Sequence, residues 1–134
     1  MGPLADAEVV AFVPSSDLTR SGKFFAEVLG LTIVEATLYA VVARGAGTTV
    51  RITLVNELAP QPFTVLGWVV PDIGRAVADL TEHGVVFLRY PGMPQDVAGV
   101  WASPSGDKVA WFADPDGNVL SLTEFAGQLV TGAC

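Results

Sequence analysis

The sequence predicts an α+β fold in which the order strand–helix–strand–strand–strand occurs twice along one domain. The two predicted helices begin alike, at Asp17-Leu-Thr-Arg20 and at Asp72-Ile-Gly-Arg75, and aspartate is a favoured N-cap residue. Residues 57–62 include two prolines, which cannot donate to a sheet ladder, so this segment predicts a linker. The repeated order therefore predicts two modules within residues 1–134, namely residues 7–56 and residues 63–125.

The first module begins with a short apolar run and a capped helix. Residues 8–13 predict a buried strand that Pro14 ends, and Asp17 caps a helix over residues 18–29. Gly30 occupies the position where a left-handed residue closes a helix. Three short strands complete this module in the prediction, at about 31–36, 38–44 and 48–55.

The second module repeats this order. Residues 63–70 predict a strand, and a helix capped by Asp72 runs to His83-Gly84. Further strands are predicted at 85–88, 100–103, 108–113 and 119–124, with a Pro/Gly-rich loop over 90–98 and a flexible tail over 126–134.

The turn Asp114-Pro-Asp-Gly-Asn118 joins the last two of these strands. Pro115 presets one backbone dihedral, while Asp116, Gly117 and Asn118 tolerate positive φ, so the stretch predicts a tight hairpin. The incoming strand is aromatic, and the outgoing strand alternates from Val119 to Glu124. Period-two alternation puts Glu124 on the face opposite Ser121.

Composition excludes several classes of function. The chain of 134 residues has a net charge of −7, which argues against nucleic acid as a partner. No apolar run approaches the roughly 20 residues of a membrane helix, and no secretion signal is recognisable at the start, so we expect no membrane partner. The single cysteine, Cys134, allows no internal disulfide, which fits a cytoplasmic location.

Three passages together resemble the vicinal oxygen chelate superfamily, which includes glyoxalases, bleomycin resistance proteins and extradiol dioxygenases. They are the strand and helix from Phe12 to Leu31, the second helix with its exit at Gly84-Val85, and the turn that follows Phe112. The resemblance covers nearly the whole chain. It implies two βαβββ modules that form a curved mixed sheet around a cleft, and it implies a homodimer.

The same resemblance implies a divalent metal held by His and Glu side chains, and this chain departs from that pattern. The matching positions carry Val10, Val65, either Arg51 or Thr53, and Ser121. Apolar side chains offer no lone pairs to a metal, so we predict no metal site and no cofactor. The single histidine, His83, is predicted to be an exposed residue at a helix end, and no residue is predicted to be catalytic.

The predicted cleft can still bind a molecule through stacking and a few polar groups. The candidate ligand-binding residues are Tyr39, Arg51, Thr53, Trp68, Trp101, Trp111, Ser121 and Thr123.

Three functions remain open at this point. The first is a metal-independent protein that binds a small molecule, for example by sequestering an antibiotic or another planar or cationic ligand. The second is an atypical enzyme of the same superfamily with lyase, isomerase or dioxygenase-like chemistry. The third is a dimeric accessory domain without a ligand. The missing metal ligands separate the first function from the usual enzymes, but not from an atypical one.

Overall fold

The computed structural model describes residues 2–127, which form two compact units. The chain passes from one unit to the other between Ala59 and Pro60, inside the predicted linker. The predicted tail falls mostly outside the described residues, but Ala126 lies inside them and its amide donates to Asp107 Oδ1 at 2.9 Å. Among the described residues, no helix is long and apolar enough to span a membrane.

The first unit is a four-stranded sheet with one helix packed on it. Its elements are β1 (Val10–Ser15), α1 (Leu18–Lys23), β2 (Thr32–Ala36), β3 (Ala40–Gly45) and β4 (Thr48–Leu54). Strand β1 is parallel to β4, and β4, β3 and β2 are antiparallel neighbours in the order β1-β4-β3-β2.

Helix α1 covers one face of this sheet. Asp17 caps it as predicted, because its Oδ1 accepts from Arg20 N at 3.1 Å. The side chains of Ser15 and Ser21 share a buried hydrogen bond of 2.6 Å between strand and helix. Val13 and Ile52 are neighbours in the ladder and are almost completely buried, so the apolar core of the unit lies between sheet and helix.

The first helix departs from the predicted regular helix over residues 18–29. After Lys23 the chain continues as a π-helical turn over Phe24–Val28, with Leu29 N donating to Phe24 O at 3.1 Å. The wider turn accommodates Phe25, which is fully buried. Gly30 follows with a φ of 78°, as its predicted role requires.

The second unit repeats the arrangement. Its elements are β5 (Thr64–Val69), α2 (Ile73–Glu82), β6 (Trp101–Ala102), β7 (Lys108–Ala113) and β8 (Val119–Glu124). Its sheet has the order β5-β8-β7-β6, with β5 parallel to β8 and antiparallel pairs elsewhere. Asp72 caps the helix through a bond of 3.1 Å from Arg75 N, as predicted.

Glu124 connects the last strand to the helix. Its Oε1 accepts from Ile73 N at 2.8 Å, at the start of α2, where a negative charge is favoured. Glu124 pairs in register with Lys108, and the two side chains approach to 4.0 Å. Glu124 therefore points to the helix side of the sheet, opposite Ser121, as alternation predicted.

The predicted strand over residues 85–88 is wrong. Phe87 forms one isolated bridge to Phe112, and Leu88 N donates to Trp111 O at 2.7 Å, but no ladder continues from them. The segment lies beside β7 next to the two residues of β6, which pair with Lys108 and Val109. Val85 and Phe87 are buried, so their apolar character reflects packing and not membership of a strand.

Candidate functional site

The face of each sheet that points away from its helix, termed the helix-free face, differs in chemistry between the two units. In the first unit, Phe12, Arg51, Val42 and Glu35 form one row across the strands. Arg51 and Glu35 approach to 4.0 Å, and the Phe12 side chain is 64% exposed. This face therefore combines an exposed aromatic ring with an ion pair.

Thr53 lies on the same face, between Pro14 and Ala40 of the neighbouring strands. Its Oγ1 is buried and has no hydrogen-bond partner among the described residues. Tyr39 lies nearby, between β2 and β3: its carbonyl oxygen accepts from Leu54 N at 2.9 Å, and the residue is 74% exposed. The Tyr39 amide donates to Thr37 Oγ1 at 3.1 Å, which fixes the backbone there.

In the second unit the helix-free face is uncharged and aromatic. Ladder register places Trp111 beside Ser121, and Trp101 in one row with Val109 and Thr123. The only charged side chains of the four strands, Lys108 and Glu124, lie on the helix side. The helix-free positions of the strands are Thr64, Gly67, Val69, Trp101, Val109, Trp111, Ala113, Val119, Ser121 and Thr123.

Ser121 lies between a glycine and an indole. Its neighbour on β5 is Gly67, where an added Cβ atom would stand 2.6 Å from Ser121 Oγ. Its neighbour on β7 is Trp111, and the Ser121 side chain is buried. The hydroxyl therefore occupies the room that Gly67 leaves free.

Three rings form an aromatic patch on this side of the second unit: Tyr90, Trp101 and Trp111. The Tyr90 ring meets Trp111 edge to face, with centroids 5.4 Å apart and an interplanar angle of 89°. The Trp101 and Trp111 centroids lie 6.3 Å apart at 36°. Such separations are typical of stabilising aromatic pairs.

Trp68 does not join this patch. It pairs with Leu122, which faces α2, so Trp68 lies on the helix side and not with Trp101 and Trp111. A β-bulge between Thr64 and Leu66 inserts one residue into β5 and reverses the alternation beyond it. We therefore exclude Trp68 from the candidate site.

The histidine lies on the helix side of its own unit, away from that unit's helix-free face. His83 is exposed at the end of α2, and its Nδ1 donates to the carbonyl oxygen of Asp79 at 2.8 Å. It therefore stabilises the helix end, which agrees with the reading of an exposed histidine at a helix C-terminus.

Sequence reasoning did not select Tyr90, Phe12 or Gly67 as site residues. Tyr90 belongs to a loop whose path depends on tertiary hydrogen bonds, so alternation could not place its ring. Phe12 could have been found, since it lies two residues from Val10 on a predicted strand and therefore on the same face.

Comparison with known proteins assigns the chain to a protein superfamily. The sequence profile of the glyoxalase/bleomycin resistance protein/dioxygenase superfamily matches residues 8–122. The chain belongs to this superfamily. No curated protein is significantly similar to it in sequence.

Solved structures of the superfamily share the fold at low sequence identity. A glyoxalase/bleomycin resistance protein/dioxygenase from Alicyclobacillus acidocaldarius is 14% identical with a TM-score of 0.71, over 91% of this chain and 93% of its own. A bleomycin resistance determinant encoded on the transposon Tn5 is 18% identical with a TM-score of 0.70, over 89% and 98%. A lactoylglutathione lyase from Agrobacterium tumefaciens is 14% identical with a TM-score of 0.70, over 92% and 96%.

The superfamily implies a divalent metal, and the residues at the corresponding positions do not fit one. Val10 and Val65 have no donor atoms, and the cationic Arg51 is paired with Glu35. Thr53 and Ser121 offer neutral hydroxyl groups in place of carboxylates. Within residues 2–127, no three or more His, Cys, Asp or Glu side chains are grouped as a metal would require.

Proposed function

We propose that this member of the superfamily is a metal-independent protein that binds a small planar or cationic molecule. The observation that carries the proposal is the uncharged aromatic patch of Tyr90, Trp101 and Trp111 beside the buried Ser121 hydroxyl. Indole and phenol rings offer a large stacking area, and their faces attract cations.

The location of charge supports this assignment. No charged side chain of the second sheet shares a face with Trp101 and Trp111, so the strands offer a ligand there rings, aliphatic side chains and hydroxyl groups but no charge. Ser121 and Thr123 lie on that face and can exchange hydrogen bonds with a polar edge of the ligand. The expected guest is therefore a flat molecule that carries a few polar groups. The homodimer and the cytoplasmic location stay predictions.

Calorimetric titration with two probes, the planar cation proflavine and metal-free bleomycin, tests the proposal. We expect saturable binding of at least one probe. Replacing Trp101 or Trp111 by Leu should weaken it by roughly two- to tenfold, because each loses a stacking partner worth about 0.5–1.5 kcal/mol. The matched control is Trp68→Leu, which removes an indole from the helix side and should leave the affinity unchanged.

Two results would contradict the proposal. One is that neither probe binds. The other is that Trp68→Leu weakens binding as much as Trp111→Leu does, since that would mean a loss through general destabilisation and not through stacking.

The ion pair on the first unit favours the second candidate, an atypical enzyme. Glu35 is a carboxylate on a helix-free face, held within 4.0 Å of Arg51, and such a group can transfer protons. Mass spectrometry of a bound probe after prolonged incubation separates the two functions. Recovery of the unchanged probe supports binding alone, whereas conversion that disappears in Glu35→Gln would support the enzyme.

A further inference from the structure

The loop between residues 88 and 101 connects two members of the aromatic patch. Tyr90 lies at its beginning, and Trp101 follows its end as the first residue of β6. Both rings contact Trp111, which is held in the middle of β7. Trp101 is also held by its ladder partner Val109, so the conformation of this loop sets above all where Tyr90 stands relative to Trp101.

One side chain binds both ends of the loop. Gln95 Oε1 accepts from Tyr90 N at 2.7 Å, while its Nε2 donates to Leu88 O at 2.9 Å and to Gly99 O at 2.8 Å. The amide thus uses its acceptor and both of its donors on main-chain atoms. Gln95 also forms an isolated bridge with Trp101.

Arg89 and Asp96 form further hydrogen bonds to the main chain of this loop. Arg89 Nη1 donates to Asp96 O at 2.6 Å, and Asp96 Oδ1 accepts from Ala98 N and Val100 N at 2.9 Å each. The bond from Arg89 spans seven residues, as the bond from Gln95 to Leu88 does, while the bonds to Asp96 Oδ1 close the turn before Trp101. Among the side chains that the structure describes, that of Gln95 bonds both the Tyr90 amide and the carbonyl oxygen of Gly99, close to Trp101.

We propose that Gln95 is the positioning residue of the aromatic patch, because its side-chain amide sets the separation of Tyr90 and Trp101 around Trp111. The geometric part of this inference stands without a ligand, and the effect on binding rests on the proposed function. A preorganised patch avoids the cost of ordering side chains when a ligand binds. The positions of the rings also determine which flat guests can stack on them, which makes Gln95 a determinant of specificity.

The test compares Gln95→Met with the wild-type protein. Methionine has a similar length and shape but cannot form the three hydrogen bonds. We expect far-UV circular dichroism to stay unchanged, while the near-UV signal of the fixed indole rings falls. Proflavine affinity should fall by roughly two- to tenfold, the cost of ordering one or two released side chains.

The matched control is Thr81→Val. It also removes a side-chain bond to the main chain in the second unit, from Thr81 Oγ1 to Val77 O at 2.7 Å, but in helix α2 and away from the patch. This control should keep the near-UV spectrum and the affinity. The inference is overturned if Gln95→Met keeps the wild-type near-UV spectrum, or if Thr81→Val changes it equally.

Two further arms separate the possible failures. If proflavine does not bind the wild-type protein, the proposed function fails for that probe, and the near-UV comparison alone decides the role of Gln95. If Gln95→Met does not fold, hydrogen exchange of the wild-type protein decides it. The Tyr90 amide should then exchange much more slowly than that of Val97, whose side chain is fully exposed, and equal rates would overturn the inference.

Discussion

Gly67 and Ser121 face each other on neighbouring strands, and the missing side chain of one provides the room for the other. An alanine at position 67 would bring its Cβ to 2.6 Å from Ser121 Oγ and 3.3 Å from Ser121 O. The hydroxyl would have to rotate away from its site beside Trp111. The pair therefore links the packing of β5 to the position of a candidate ligand-binding group.

A double-mutant cycle tests this coupling. We expect Gly67→Ala to lower the free energy of unfolding by about 1–3 kcal/mol, the usual cost of overpacking. In a Ser121→Ala background the cost should be smaller, because the atom in the way is gone. Urea unfolding of the four proteins measures the coupling, and strictly additive effects would contradict it.

Single residues also show what the sequence could predict about the site. Period-two alternation predicts that Ser121 and Thr123 share one face of the last strand, and the ladder places them there. Trp68 was grouped with the other two tryptophans, but a bulge of one residue turns it to the helix side. Bulges depend on the pairing of two strands, so a pattern read along one strand does not reveal them.

At the scale of elements, the Asp114–Asn118 turn is stabilised by one buried carboxylate. Asp114 Oδ1 accepts from Asp116 N and Asn118 N, and Oδ2 accepts from Asn118 Nδ2 at 2.9 Å. Gly117 has a φ of 88°, as the predicted hairpin requires. Burial raises the pKa of Asp114 above its ordinary value, although the bonds from Asn118 and Asp116 oppose that rise.

This shift predicts how stability depends on pH. Because the folded-state pKa of Asp114 is raised, the unfolded chain releases this proton at lower pH than the folded chain does. The contribution of Asp114 to the free energy of unfolding is then complete below the ordinary pKa of 3.8 and falls as pH rises through the folded-state value.

Comparison with Asp114→Asn isolates this contribution, because other carboxyl groups cancel in the difference. Urea unfolding of both proteins between about pH 3 and pH 7 should show the wild-type protein losing stability relative to the variant as pH rises. A difference that stays constant, or that changes in the opposite direction, would contradict the prediction.

Elements with local signals were predicted well. Both capped helix starts, the hairpin turn and the strands over 108–113 and 119–124 follow from residues close in sequence, and the structure confirms them. The predicted strand over 85–88 failed because buried apolar residues next to a sheet resemble a strand in sequence. The π-helical turn after Lys23 likewise accompanies the complete burial of Phe25, which no local sequence pattern reveals.

At the scale of the whole molecule, the fold is that of the superfamily, while the positions that correspond to its metal ligands hold residues other than His and Glu. We expect elemental analysis of the purified protein to find no stoichiometric divalent ion. A bound metal would stabilise the folded state by mass action, and its removal would lower the thermal midpoint. Since we expect no bound metal, dialysis against EDTA should leave the thermal midpoint unchanged. A stoichiometric ion whose removal lowers the midpoint would contradict the donor chemistry described above.

The loop around Gln95 has a consequence for sequence divergence among relatives. The bonds of Arg89, Gln95 and Asp96 described above all end on main-chain atoms, which every residue type other than proline supplies as both donor and acceptor. Gly92 and Gly99 have positive φ and are therefore constrained as well. Exposed loop positions such as Val97 and Ala98 can be exchanged in evolution without moving Tyr90 or Trp101, so new surface chemistry can arise at the rim while the rings keep their places.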